Sequence, residues 1–219
     1  MTELQFKRRA ALSGKATSIV VFVHGYGADG GDLIGLADPL AEHLPNTVFI
    51  APDAPEKCSG NPFGFQWFPI PWLDGSSEAA AAAGLASSSL LLNAFLDARL
   101  KDDNLLPEAM ALVGFSQGAM ISLHVAPRRP RPVAGVVAIS GRLLVPELLV
   151  TQSTVKPPVM LVHGDADPVV PFASMAQAGA ALTEAGFDTF GYVMKGTGHG
   201  IAPDGLRVTL QFLKDRLPQ

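Results

Sequence analysis

Short, wholly apolar runs alternate along this chain with longer segments of helical period. Residues 19–23, 47–51, 110–113, 133–140, 159–163 and 189–194 have strand length, and most are apolar on both faces, as strands covered on both sides are. Between them the pattern predicts helices over 29–43, from a cap at Ser76 or Ser77 to Arg99, and over 117–125, 172–185 and 203–217. Residues 4–12 read as an edge strand and 142–158 as an irregular apolar segment. Residues 52–75 read as a long loop with five prolines and five aromatics, both tryptophans among them. Strands alternating with helices predict the α/β class, with a mainly parallel central sheet, helices on both faces and no large lid domain. No repeat, linker or break in composition divides the 219 residues, so a single domain over 1–219 is expected.

In open sheets of this kind, ligands bind beyond the carboxyl ends of the strands, so those ends carry the functional information. Residues 110–120 read M-A-L-V-G-F-S-Q-G-A-M. They place Ser116 in the sharp turn between a strand and a helix, with glycines two residues before and after it. That is the setting of a nucleophile elbow, in which glycines remove Cβ atoms that would collide with neighbouring backbone. After the strand at 159–163 comes G-D-A-D-P, and after the strand at 189–194 comes K-G-T-G-H-G. A serine, an acid and a histidine therefore follow strand ends in the order Ser116, Asp167, His199, which is the chain order of the α/β-hydrolases.

The chemistry requires these residue types. A serine hydroxyl becomes a useful nucleophile when an imidazole removes its proton and later returns it to the leaving group. A carboxylate on the other ring nitrogen fixes the tautomer and stabilises the imidazolium. Backbone N–H groups must meet the negative charge of the tetrahedral intermediate, and removal of one such donor costs about 3 kcal/mol. Gln117, which follows the nucleophile, and the loop His24–Gly27, most directly Tyr26, are the candidate oxyanion donors.

Four segments carry a more specific signal: V-H-G-Y-G-A-D-G-G-D-L, G-F-S-Q-G-A-M, H-G-D-A-D-P-V-V-P and G-T-G-H-G-I, spread over residues 23 to 201. They resemble the signature segments of the carboxylesterase/phospholipase family, which includes bacterial carboxylesterases and acyl-protein thioesterases. The resemblance implies an α/β-hydrolase fold, Ser116 as nucleophile, Asp167 as acid, His199 as base, and oxyanion donors at Tyr26 and Gln117. The family often has Leu where Tyr26 stands, a change that leaves the backbone donor in place. The expected activity is that of a serine carboxylesterase working through an acyl-enzyme on small-to-medium esters. An acyl-protein thioesterase or lysophospholipase would use the same residues.

Other assignments compete for some of these positions. Asp165 is an alternative acid, but the resemblance puts that role on the aspartate directly before Pro168. His43 and His124 fall in predicted helices, whereas His24 and His163 precede glycines at strand ends, where a histidine bonds within its loop. Gly25-Tyr-Gly27-Ala-Asp-Gly30 is a literal G-x-G-x-x-G after a strand, with Asp53 past the next strand, as a dinucleotide-dependent oxidoreductase would have. That reading leaves the Ser116, Asp167 and His199 segments without roles.

Composition narrows the partners. A net charge of −4 offers little to a phosphate backbone, so nucleic acid is not expected. The single cysteine, Cys58, excludes an intrachain disulfide and suits a reducing compartment. The first ten residues lack an apolar core of signal-peptide length, and no run reaches the ~18 apolar residues of a spanning helix. A soluble, cytoplasmic protein without membrane insertion is the expectation. No metal motif is present and no cofactor is expected. Phe65, Trp67 and Phe68 from the aromatic loop, with Leu144 and Leu148 from the later apolar stretch, are the expected walls of an apolar substrate pocket. Exposed apolar loops of this kind can also support a homodimer.

Overall fold

Seven strands make the central sheet of the computed structural model, which describes residues 3–218. In chain order, the first half has β1 (Phe6–Arg9), β2 (Ser18–Val23), α1 (Gly30–Ile34), α2 (Ala37–Ala41), β3 (Thr47–Pro52), β4 (Glu56–Lys57), β5 (Phe65–Gln66), α3 (Pro71–Asp74) and α4 (Glu78–Asp102). The second half has β6 (Met110–Phe115), α5 (Gln117–Val125), β7 (Gly135–Ile139), α6 (Leu149–Gln152), β8 (Val159–Gly164), α7 (Ala173–Glu184), β9 (Thr189–Met194) and α8 (Pro203–Arg216). The sheet runs β1-β3-β2-β6-β7-β8-β9, antiparallel at β1 and parallel elsewhere.

Alternation along the strands divides the interior into two cores. On β2, Ile19, Val21 and Val23 face one side, where α4, α5 and α7 contribute Leu96, Ile121 and Leu182. Val20 and Phe22 face the other, where α1, α2 and α8 contribute Leu33, Leu40 and Leu213. Both sides of each central strand are buried, which accounts for the unbroken apolar runs in the sequence. Register aligns Val23 with Gly114 and Phe115 with Ile139, so β2, β6 and β7 end level and their following loops share one rim.

Three elements differ from the sequence pattern. The helix expected over 29–43 is two short helices, α1 and α2. Pro39 has no N–H to continue the helix, and its ring would press on the Gly35 carbonyl, so it is accommodated only in the first turn of a new helix. The long loop contains a small hairpin, Glu56 opposite Gln66 and Lys57 opposite Phe65, whose runs of two residues are too short for periodicity to reveal. Finally, α4 is long and apolar enough on average to cross a bilayer, with a mean hydropathy of 1.6. A count of unbroken apolar residues misses this because Gly84 and Ser87–Ser89 interrupt the run. In this fold its Leu92, Phe95, Leu96 and Leu100 are buried against the sheet.

Candidate active site

Ser116 joins β6 to α5 with φ 54° and ψ −116°, a left-handed conformation that costs a non-glycine residue about 1–3 kcal/mol. Its N–H donates to the Ile139 carbonyl at 2.8 Å, which ties the strained residue to β7. The flanking glycines are required by close approach. A Cβ on Gly118 would stand 1.8 Å from the Val23 carbonyl oxygen, and one on Gly114 2.4 Å from the Gly118 oxygen. These contacts bring the start of α5 against the end of β2 and aim the Ser116 side chain over the sheet rim.

The loops after β8 and β9, two and three strands along the sheet, meet it there. His199 Nε2 lies 3.0 Å from Ser116 Oγ, and its Nδ1 lies 2.7 Å from Asp167 Oδ2. Since Asp167 accepts, Nδ1 carries the proton and the Nε2 lone pair faces the hydroxyl. The Asp167 side chain is wholly buried. Burial alone would raise its pKa, but hydrogen bonds from His199 and from the Val170 and Val169 N–H groups hold it below the ordinary aspartate value. Asp165, the alternative acid, accepts from the Gly196 N–H at 2.6 Å and so braces the loop that carries His199. His163 also reaches the Asp167 carboxylate, its Nε2 lying 3.4 Å from Oδ2 and 3.0 Å from the Val170 carbonyl. The sequence marks His163 only as a histidine beside a glycine; its place against Asp167 is a tertiary fact.

Gln117 follows Ser116 directly, and Gly25, the residue before Tyr26, packs against it, since a Cβ there would stand 3.2 Å from the Ser116 Cβ. Neither the Tyr26 nor the Gln117 N–H donates to a backbone carbonyl among the described residues outside the helix and strand ladders. The Tyr26 loop is anchored from several sides. His24 Nδ1 donates to the Gly25 carbonyl at 2.7 Å, and its Nε2 accepts from the Ala54 N–H at 2.9 Å. Burial lowers the His24 pKa, so this wedge is neutral. The Tyr26 hydroxyl meets Ser59 Oγ at 2.8 Å and donates to Asp74 Oδ2 at 3.3 Å, which links the loop to α3. The sequence signal for Asp74 is weak, a single acid before a turn glycine.

The expected pocket residues divide. Phe68 and Leu144 line a cleft of about 180 Å³ together with Pro69, Trp72, Leu85 and Val145. Trp67 does not reach it. Its side chain is fully buried, its Nε1 donates to the His24 carbonyl at 3.0 Å and its N–H to Gln117 Oε1 at 2.8 Å, so it supports the site from beneath. Phe65 lines a separate cavity of about 430 Å³ with Leu4, Asp53 and Leu91, under the Lys57 ammonium. Leu148 is partly exposed in a 3₁₀ turn and lies outside the cleft lining. Periodicity identified an apolar loop but could not tell which side chains turn inward. Asp53, the acid of the glycine-rich pattern, accepts from the Gly30 N–H at 2.8 Å and is thereby an anchor for α1. Among the described residues no three His, Cys, Asp or Glu side chains converge where an ion could be held.

Against this geometry, comparison with known proteins is direct. Residues 10–217 match the profile of the phospholipase/carboxylesterase family. The chain belongs to that family. Acyl-protein thioesterase 1 of Saccharomyces cerevisiae is 30% identical over 96% of this chain and 97% of its own. Esterase YpfH of Escherichia coli is 27% identical over 93% of this chain and 85% of its own. The crystal structure of esterase PE8 superposes with a TM-score of 0.93 and 42% identity, covering 99% of this chain and 100% of that one. The fold is that of the α/β-hydrolases, and the chain is a carboxylic ester hydrolase.

Proposed function

We propose that this chain is a serine carboxylesterase acting through an acyl-enzyme. The observation that carries the reading is the continuous relay from Ser116 Oγ through His199 to a buried carboxylate at 3.0 and 2.7 Å. Ser116 Oγ attacks the ester carbonyl carbon while its proton passes to His199 Nε2. The oxyanion forms between the Tyr26 and Gln117 N–H groups, free donors whose positions are held by the backbone. Collapse expels the alcohol, protonated by His199. Water then attacks the acyl-serine, gives its proton to the same nitrogen, and the acid leaves as Ser116 regains its hydrogen.

The cleft lined by Phe68, whose carbonyl Gln117 holds, suits small-to-medium acyl groups, since about 180 Å³ falls below the size of sites that enclose larger ligands. Thioester hydrolysis is the second reading, favoured by the yeast relative's name. The relay does not distinguish an alcohol from a thiol as leaving group. One cytoplasmic domain, active alone or as a homodimer, completes the proposal.

Hydrolysis of p-nitrophenyl esters from acetate to palmitate by wild type and Ser116→Ala tests it. Activity that disappears in the variant is expected, with an optimum at short or medium acyl length. Equal activity of the two proteins would sink the reading, and a much faster matched thioester would favour the second one.

A further inference from the structure

Arg142 carries a charge into the lining of the cleft and has no anionic partner among the described residues. Its guanidinium lies over the Trp72 ring, 4.3 Å from the centroid, and it makes no ion pair among the described residues. Glu78 faces the same cleft without pairing with it. Arg8, Arg9, Arg99, Arg129, Arg131 and Arg216 each hold a carboxylate, whereas Arg128 and Arg207, which hold none among the described residues, do not line this cleft. A planar cation stacked on an indole keeps its N–H edge free and oriented, the form in which arginine recognises a carboxylate.

Its position connects it to the proposed chemistry. Gly141, the preceding residue, packs so close to the elbow that a Cβ there would stand 3.1 Å from the Ser116 carbonyl oxygen. Across the cleft, the Phe68 carbonyl is held by Gln117, the residue after Ser116. Both walls are therefore built from neighbours of the nucleophile. The segment that presents Arg142 is also bracketed by strain: Ser140 has φ 50° and Val145 φ 43°. A β-branched residue in the left-handed region persists only where its surroundings hold it there. On the far side of this segment, Arg142 borders a cavity of about 310 Å³ that contains the polar side chains Ser174 and Gln177.

We infer that Arg142 selects esters whose acyl group ends in a carboxylate. The acyl chain lies along Phe68 and Leu144, and its distal carboxylate meets the guanidinium between the Trp72 ring and the Ser174–Gln177 side. This rests on the reading of Ser116 as the group that attacks the acyl carbon.

The test compares monoethyl adipate with ethyl hexanoate, two esters with six-carbon acyl chains that differ in a terminal carboxylate, by titrating the acid released. The readout is the ratio of their kcat/KM values, in which any general loss cancels. Arg142→Gln should lower the charged-to-neutral ratio about five- to tenfold, the range of a partly exposed charge-assisted pair. In wild type the ratio should fall as NaCl is raised, and in the variant this salt response should be absent. A ratio in Arg142→Gln within twofold of wild type, or a wild-type ratio indifferent to salt, overturns the assignment while leaving the esterase intact. Failure of wild type on both esters, or full activity in Ser116→Ala, would instead remove the underlying reading and this inference with it.

Discussion

The Gln117 side-chain nitrogen donates to the Phe68 carbonyl oxygen at 2.6 Å. The same amide accepts from the Trp67 N–H, so one side chain at the start of α5 holds two consecutive backbone groups of the aromatic loop. All of these groups are buried, and the amide supplies one donor and one acceptor where one of each is needed.

Gln117→Ala therefore strands two buried backbone groups while leaving its own N–H beside Ser116. We expect a stability loss of about 2–6 kcal/mol in denaturant titration, from two unsatisfied groups at about 1–3 kcal/mol each. We also expect a loss of preference for longer acyl chains, with acetate ester turnover least affected. An unchanged chain-length profile would mean that the loop does not depend on this amide.

Asp167 provides a second check. Its lowered pKa keeps it anionic throughout the neutral range, where it orients the His199 ring. Asp167→Asn preserves the shape but can donate to Nδ1, which favours the wrong tautomer. The kcat on p-nitrophenyl butyrate should fall roughly 10³- to 10⁴-fold. A loss of less than tenfold would argue that the relay is ornamental.

His124 sets an acid limit on stability, independent of catalysis. Burial, and then the charge of Arg128, lower its pKa from 6.5 to about 4, and its Nδ1 is buried without a partner. The unfolded chain thus takes up this proton before the folded one does. The contribution is full above pH 6.5 and is lost as the pH falls from 6.5 towards 4. After discounting for partial exposure, the loss is about 1–2 kcal/mol. Chemical denaturation of His124→Asn at pH 7.5 and pH 5 should show a smaller drop than wild type. An equal drop would assign the acid sensitivity elsewhere.

Which parts of the molecule could be read from sequence follows from the range of the interactions involved. The strands were legible because Val20, Val21 and Phe22 are buried on both faces and leave an unbroken apolar run. Ser116, Asp167 and His199 stood out because each follows such a run by a few residues. Pro39 was visible too, but its effect depends on where the helix before it begins. Trp67, His163 and Asp74 meet His24, Val170 and Tyr26 across 43, 7 and 48 residues, contacts set by tertiary packing that spacing cannot report. The most misleading signal was composition: the aromatic loop mixes Phe68, which lines the cleft, with Trp67, which lies beneath it, and with Phe65, which faces another cavity.

The donors around Ser116 have one more implication. Both N–H groups proposed to meet the oxyanion belong to the main chain, which does not titrate, and the histidine that anchors the Tyr26 loop is neutral because its Nε2 accepts from the Ala54 N–H. Acidity therefore has no handle on the part of the machinery that answers the developing charge. This half of the proposed machinery is set by the fold and not by the protonation of any side chain.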